Sequence, residues 1–188
     1  MFKDHSEYVF EFQFNNNQQM NALTDEMVQI VGQKLKEWDS AEKVPRIAMM
    51  SGTGGKAFCA GGNLKGLYDS LNGKESKDKN LKKTFLATSY AVDYNLQKMK
   101  PFQISIWNGL VMGGGVGISQ YAPIRIATDN TVWAMPETKI GFFADRGASY
   151  FLTKGKNNEG LGIYLALTGQ TIKGKNLVWC GIATHFVP

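Results

Sequence analysis

Two apolar runs in this chain each lead into a cluster of glycines and then into a helix, and that repeated device limits the fold more than any other feature. Residues 47–50 precede a loop, 51–62, that holds Ser51-Gly52-Thr53-Gly54-Gly55 and then Phe58-Cys59-Ala60-Gly61-Gly62. Residues 102–107 precede Asn108-Gly109-Leu110-Val111-Met112-Gly113-Gly114-Gly115-Val116-Gly117. A short apolar run bounded by turn residues suits a buried strand. Strands that alternate with helices imply an α/β fold on a mainly parallel sheet. A helix N-terminus offers unpaired N–H groups and a partial positive charge, and glycine lets a ligand come close to the backbone. Both corners are therefore candidate sites for an anion or a developing oxyanion; the plainer alternative is a tight turn. No Gly-Lys-Ser/Thr follows either one, so neither is a Walker A loop, and neither makes a dinucleotide fingerprint.

The rest of the chain fits the same plan. Tyr8, Phe10, Phe12 and Phe14 alternate with polar residues, the period-2 mark of a strand. Thr24 is placed to cap a helix, with Asp25 and Glu26 in its first turn and Met27, Ile30, Val31, Leu35 and Trp38 along one stripe. A helical, then polar, stretch covers 64–83. A second long helix over 84–99 carries Phe85, Ser89, Val92 and Leu96 near one face, and Pro101 stops it. Strands are expected at 124–127 and 132–134, a turn at Pro136-Glu137, and a helix at 160–167 capped by Gly169. No repeat or linker divides the chain, so residues 1–188 are expected to form one domain.

Composition excludes several classes. At 188 residues, with 43% hydrophobic and 20% charged residues, the chain can build a core and is not of disordered type. No apolar run approaches the ~20 residues of a membrane helix. Cys59 and Cys180 lie far apart in no ligand spacing, and His5 and His185 are the only histidines, so neither a disulfide nor a metal site is expected. The net charge of +5 is open to three readings: an ordinary basic surface, a phosphate-bearing ligand or a nucleic-acid partner. Lysines at 74, 77, 79, 82 and 83 share one polar stretch, which reads as a solvated face. Residues 1–7 carry no targeting signal, which implies a cytosolic protein or one whose import sequence is not in this chain.

Read in full, the two glycine corners carry a resemblance. Lys56-Ala57-Phe58-Cys59-Ala60-Gly61-Gly62-Asn63-Leu64 resembles the first signature of the enoyl-CoA hydratase/isomerase (crotonase) family. Lys100-Pro101, Asn108-Gly109, Met112-Gly113-Gly114-Gly115-Val116-Gly117 and Met135-Pro136-Glu137-Thr138 resemble the second, in matching order and spacing. The resemblance implies a crotonase-type spiral of ββα units. It also implies an oxyanion hole made by the backbone N–H groups of Gly62 and Gly114, which would bind the carbonyl of an acyl thioester. The hydratases of the family place a water with two glutamates; one matches Glu137 and the other falls at Gly117, so hydration is not the expected reaction. Glu137 retained, glycine at 117 and Asp145 downstream look like the 3-hydroxyisobutyryl-CoA hydrolase branch, where the glutamate attacks the thioester or activates water and the aspartate holds the substrate. Coenzyme A would then enter as part of the substrate, with no other cofactor and no metal. The alternatives for these residues are a helix N-terminal acid after Pro136 and a surface ion pair between Asp145 and Arg146.

The sequence also departs from that pattern. Asn63 stands in place of an aspartate, Ala144 and Arg146 flank Asp145 where the branch has proline and a small apolar residue, and Thr88 and Ser89 stand near the place of a helix glutamate, with no acid before Asp93. The family's hydrolases continue into a long helical region beyond the length of this chain. The resemblance therefore implies an apolar face that needs a cover, supplied by a tail, by another polypeptide or by the second half of a split enzyme. Members of this branch also serve as components of mitochondrial small ribosomal subunits, so a non-catalytic subunit in a large mitochondrial assembly, with contact to ribosomal RNA, is the competing expectation. Both readings place the chain in the mitochondrial matrix.

Overall fold

The computed structural model describes residues 1–72, 81–154 and 159–188. Lys74, Lys77 and Lys79 of the polar stretch fall outside those residues.

The chain begins with a hairpin, β1 (Phe2–Ser6) and β2 (Val9–Phe14), followed by a 3₁₀ turn (Asn17–Gln19) and α1 (Asp25–Ser40). Then come β3 (Ile47–Gly52), β4 (Ala57–Cys59), α2 (Leu64–Leu71) and α3 (Leu81–Lys98). The next unit is β5 (Phe102–Trp107), β6 (Leu110–Met112) and α4 (Gly114–Gly117), and the next β7 (Ile124–Ala127), β8 (Val132–Ala134) and a 3₁₀ turn (Glu137–Ile140). The last elements are α5 (Ala148–Phe151), α6 (Glu159–Thr168), β9 (Ile172–Lys173), α7 (Asn176–Trp179) and β10 (His185–Phe186).

Three consecutive units thus read strand, strand, helix, and each contributes one strand to each of two sheets. The larger sheet has the order β1-β2-β3-β5-β7-β10, parallel except for the β1–β2 hairpin. The smaller has the order β4-β6-β8-β9, parallel except for β9. This is the ββα spiral. The sequence reading anticipated one mainly parallel sheet; strands as short as Ala57–Cys59 and Leu110–Met112 are hidden inside the glycine loops, and they pair into the second.

Periodicity accounts for most of the packing. Phe10, Phe12 and Phe14 point inward from β2, whereas Tyr8 precedes the strand and is exposed. Phe10 and Phe12 meet the Trp38 ring of α1 edge-on at 5.0 and 5.4 Å. Thr24 caps α1 by accepting from the Met27 amide, as its position suggested. The buried stripe of α1 is Val28, Val31, Leu35 and Trp38, at steps of three and four; Ile30 lies off it and is exposed. Helix α3 turns Phe85, Ser89, Val92 and Leu96 into the same interior, against α1. Cys59 and Cys180 are both buried and free.

Strand β1 had no signal in the sequence reading, because all five of its residues are exposed. It is an edge strand whose backbone pairs with β2, and His5 reaches across to the Glu11 carboxylate at 2.8 Å.

Candidate active site

Both glycine corners open onto one pocket of about 290 Å³, lined by Gly62, Leu64, Phe85, Gly114, Glu137 and Arg146 among others. The backbone around Gly62 is held by a parallel bridge to Leu23. The Leu23 amide donates to the Gly61 carbonyl at 2.7 Å, and the Asn63 amide donates to the Leu23 carbonyl at 2.9 Å. In that pattern the residue between the two bonds turns its own N–H the other way. Asn63, where the family pattern has an acid, caps α2 by accepting from the Gly66 amide at 3.0 Å. Gly114 opens α4, so its N–H has no partner within the helix. Among the described residues neither the Gly62 nor the Gly114 amide has an acceptor.

Glu137 comes from the 3₁₀ turn that follows β8, the strand paired with β6. Its carboxylate lies against Gly113: a side-chain carbon at 113 would stand 2.6 Å from Glu137 Oε1, and the φ of +49° there also favours glycine. Glu137 Oε2 is buried without a hydrogen-bond partner. Burial pushes the carboxyl up to about 7, with the Asp145 carboxylate pushing the same way and Arg146 opposing. The alternative of a turn-initiating acid is also realised, since Glu137 heads the turn after Pro136. The two descriptions are compatible, since Glu137 both heads the turn and lines the pocket.

Asp145 reaches the same pocket and accepts a hydrogen bond on Oδ2 from the Tyr90 hydroxyl of α3 at 2.6 Å. Arg146 is not half of a surface pair. With φ +56° it folds inward, its residue only 8% exposed, and Nη1 donates to Asp93 Oδ2 at 2.8 Å. Asp145 Oδ2 lies 3.6 Å from Arg146 Nε, a secondary contact. The Arg146 stem occupies the space beside Gly117, where an added side-chain carbon would meet its Cδ at 2.7 Å and its Cβ at 2.9 Å. The missing side chain at 117 and the cation at 146 are thus two aspects of one packing solution.

The structure places Gly62, Gly114, Glu137 and Asp145 around one pocket. Tyr90 and Asp93 were missed as members of the cluster. A signal existed for Asp93: it lies four residues after buried Ser89 and beside Val92, on the inward face of α3, and a carboxylate there needs a cation. Burial pushes its carboxyl up to about 6 while Arg146 opposes.

The model of the enoyl-CoA hydratase/isomerase family matches residues 9–188. The chain belongs to this family. Its crotonase fold superposes on a carnitinyl-CoA dehydratase from Mycobacterium thermoresistibile with a TM-score of 0.87 at 31% identity, over all of this chain and 53% of that one. Among curated relatives, the mitochondrial 3-hydroxyisobutyryl-CoA hydrolase of Dictyostelium discoideum is 45% identical over 177 residues, 92% of this chain and 46% of the relative. The small ribosomal subunit protein mS47 of Neurospora crassa is 38% identical over 176 residues, 93% of this chain and 34% of the relative. The chain therefore spans less than half the length of these two relatives.

Proposed function

We propose that the pocket hydrolyses a short branched 3-hydroxyacyl thioester of coenzyme A, with 3-hydroxyisobutyryl-CoA as the substrate suggested by the hydrolase relatives. One observation carries the reading: a buried carboxylate with an orphaned oxygen, Glu137, shares a pocket with two amides that have no acceptor among the described residues. The thioester carbonyl oxygen would sit between the N–H groups of Gly62 and Gly114, each such donor contributing ~2.7–4 kcal/mol to the rate. Glu137, ionised, takes a proton from water as the water oxygen bonds to the carbonyl carbon. The carbonyl π electrons move onto oxygen, then return as the C–S bond breaks. The departing thiolate takes up a proton, giving the free acid and coenzyme A. Direct attack by Glu137 on the carbonyl carbon is the alternative first step, followed by hydrolysis of the resulting anhydride. Asp145, held by Tyr90, accepts from the substrate's 3-hydroxyl. Coenzyme A takes part only as the carrier of the acyl group.

Thiol release from 3-hydroxyisobutyryl-CoA tests this. The folded wild type should turn over, and Glu137→Gln should lose roughly 10²–10⁴-fold, the usual worth of a positioned base. A folded wild type without turnover would overturn the hydrolase reading.

A second reading has its own support. The mS47 relative aligns with 93% of this chain, and the chain is basic at +5. In that reading the chain is a structural subunit of the mitochondrial small ribosomal subunit, its basic surface against ribosomal RNA. Co-sedimentation with that subunit at fixed stoichiometry, lost at high salt, would support it. Either way the apolar mouth of the pocket, where Leu64, Ile140 and Phe142 are exposed, would lie against protein from beyond this chain or from a partner. Both readings place the protein in the mitochondrial matrix.

A further inference from the structure

Arg146 does more at the pocket than neutralise Asp93. Its fork has three nitrogens, and two are accounted for: Nη1 donates to Asp93 and Nε lies near Asp145. Nη2 has no acceptor among the described residues. A side-chain carbon built at Gly114 would stand 3.3 Å from Arg146 Nη2 and 3.3 Å from the Gly62 nitrogen. Two nitrogen donors, with Leu23 Cδ1 also at 3.3 Å, therefore border one small space beside Gly114, left open because residue 114 has no side chain. We propose that Arg146 is a catalytic residue, its Nη2 being a third and charged donor to the oxygen bound at the Gly62–Gly114 corner.

This rests on the acyl-thioester reading of the pocket and deepens it. As the nucleophile adds to the carbonyl carbon, the π pair moves to oxygen, and no proton has to be transferred to stabilise it there. A guanidinium donor is roughly twice as strong toward an anion as a neutral one. Burial strengthens the effect, because the side chain is only 3% exposed and little water screens it. The Asp93 bond fixes the fork through Nη1, and the Tyr90 ring lies 5.2 Å from the guanidinium carbon, so the cation is held before the substrate arrives. The stem packed beside Gly117 fixes the other end. Two carboxylates, Asp93 and Asp145, lie beside this cation at 2.8 and 3.6 Å.

Acetoacetyl-CoA reports the charge at that oxygen without turnover, because its bound enolate absorbs in the near ultraviolet. The full chain is titrated with it across pH as wild type, as Arg146→Lys, and as the double variant Asp93→Asn with Arg146→Met, which removes both buried charges together. In the double variant the apparent pKa of the bound probe should rise by about one unit or more, a tenfold or larger loss of enolate stabilisation. Arg146→Lys, which keeps a partner for Asp93 but cannot extend a second donor to the corner, should shift it in the same direction. Should the variants be folded and bind the probe with the wild-type pKa, Arg146 is a packing residue and the proposal fails. If folded wild type does not bind acetoacetyl-CoA, the acyl-thioester reading fails, and this assignment with it.

Discussion

The aromatic core around Phe12 and the polar cluster around Arg146 are buried to similar depth by opposite means. Phe12 is 1% exposed and is surrounded by rings: Phe2, Phe10 and Trp38 all lie within 5.6 Å, centroid to centroid. Arg146 is 8% exposed and is surrounded by Asp93, Asp145 and the Tyr90 ring. The first group gains by leaving water, in proportion to area, and its partners are interchangeable if volume is kept. The second loses by leaving water and is tolerated only because each charge finds a specific partner. The contrast separates what makes the spiral from what the pocket does with it.

The sharpest way to break that contrast is to delete one member from each side. Phe12→Ala and Arg146→Met should each cost about 3–5 kcal/mol in denaturant unfolding, the first through a cavity and the second through a stranded Asp93. Only the second has a remedy by charge: adding Asp93→Asn to Arg146→Met should recover most of the loss. A double variant as unstable as the single would show that Arg146 is held by shape, like Phe12.

A second test is pH, to which the aromatic core is blind. Glu137 is pushed from an ordinary 4.5 to about 7, so between those values the native protein holds a proton that the unfolded chain gives up. Asp93 acts in the same sense between 3.8 and about 6. Stability should therefore fall as pH rises through this window and level off above about 7. Glu137→Gln should flatten the upper part of that slope. Activity should run the other way in wild type, rising through about pH 7 as Glu137 ionises to its basic form. A wild-type stability curve that climbs from pH 5 to 7 would contradict the burial assigned to Glu137.

The smallest effect expected is that of Tyr90→Phe, about 1 kcal/mol for the hydrogen bond to Asp145, with KM affected more than kcat. An equal loss in kcat would mean that Tyr90 acts on the reacting atoms rather than through Asp145.

The two regions also differ in how far they could be read beforehand. Phe10, Phe12, Phe14, Val31, Leu35 and Trp38 announce themselves by period, because apolar burial follows spacing along a strand or helix. The glycine corners and Glu137 were legible through the family resemblance, and at Gly113 the geometry explains the tie: its φ of +49° and the Glu137 carboxylate 2.6 Å from an added side-chain carbon both favour glycine. Arg146 was not legible. A cation next to an aspartate in sequence reads as a surface pair, and only the fold reveals that its partner is Asp93, 53 positions earlier. Strand β1 escaped for another reason, since an exposed edge strand is fixed by backbone hydrogen bonds that leave no side-chain pattern.

The central claim is that amides from two separate strand-to-helix corners meet at one acyl oxygen, and the vibration of that carbonyl reads it most directly. With acyl-CoA labelled with carbon-13 at the thioester carbonyl and bound to Glu137→Gln so that it persists, the isotope-edited infrared band should move to lower frequency than in water, because donors at the corner polarise the C=O bond. A bound ligand whose carbonyl band stays at its solution frequency would mean that the Gly62 and Gly114 amides do not hold it.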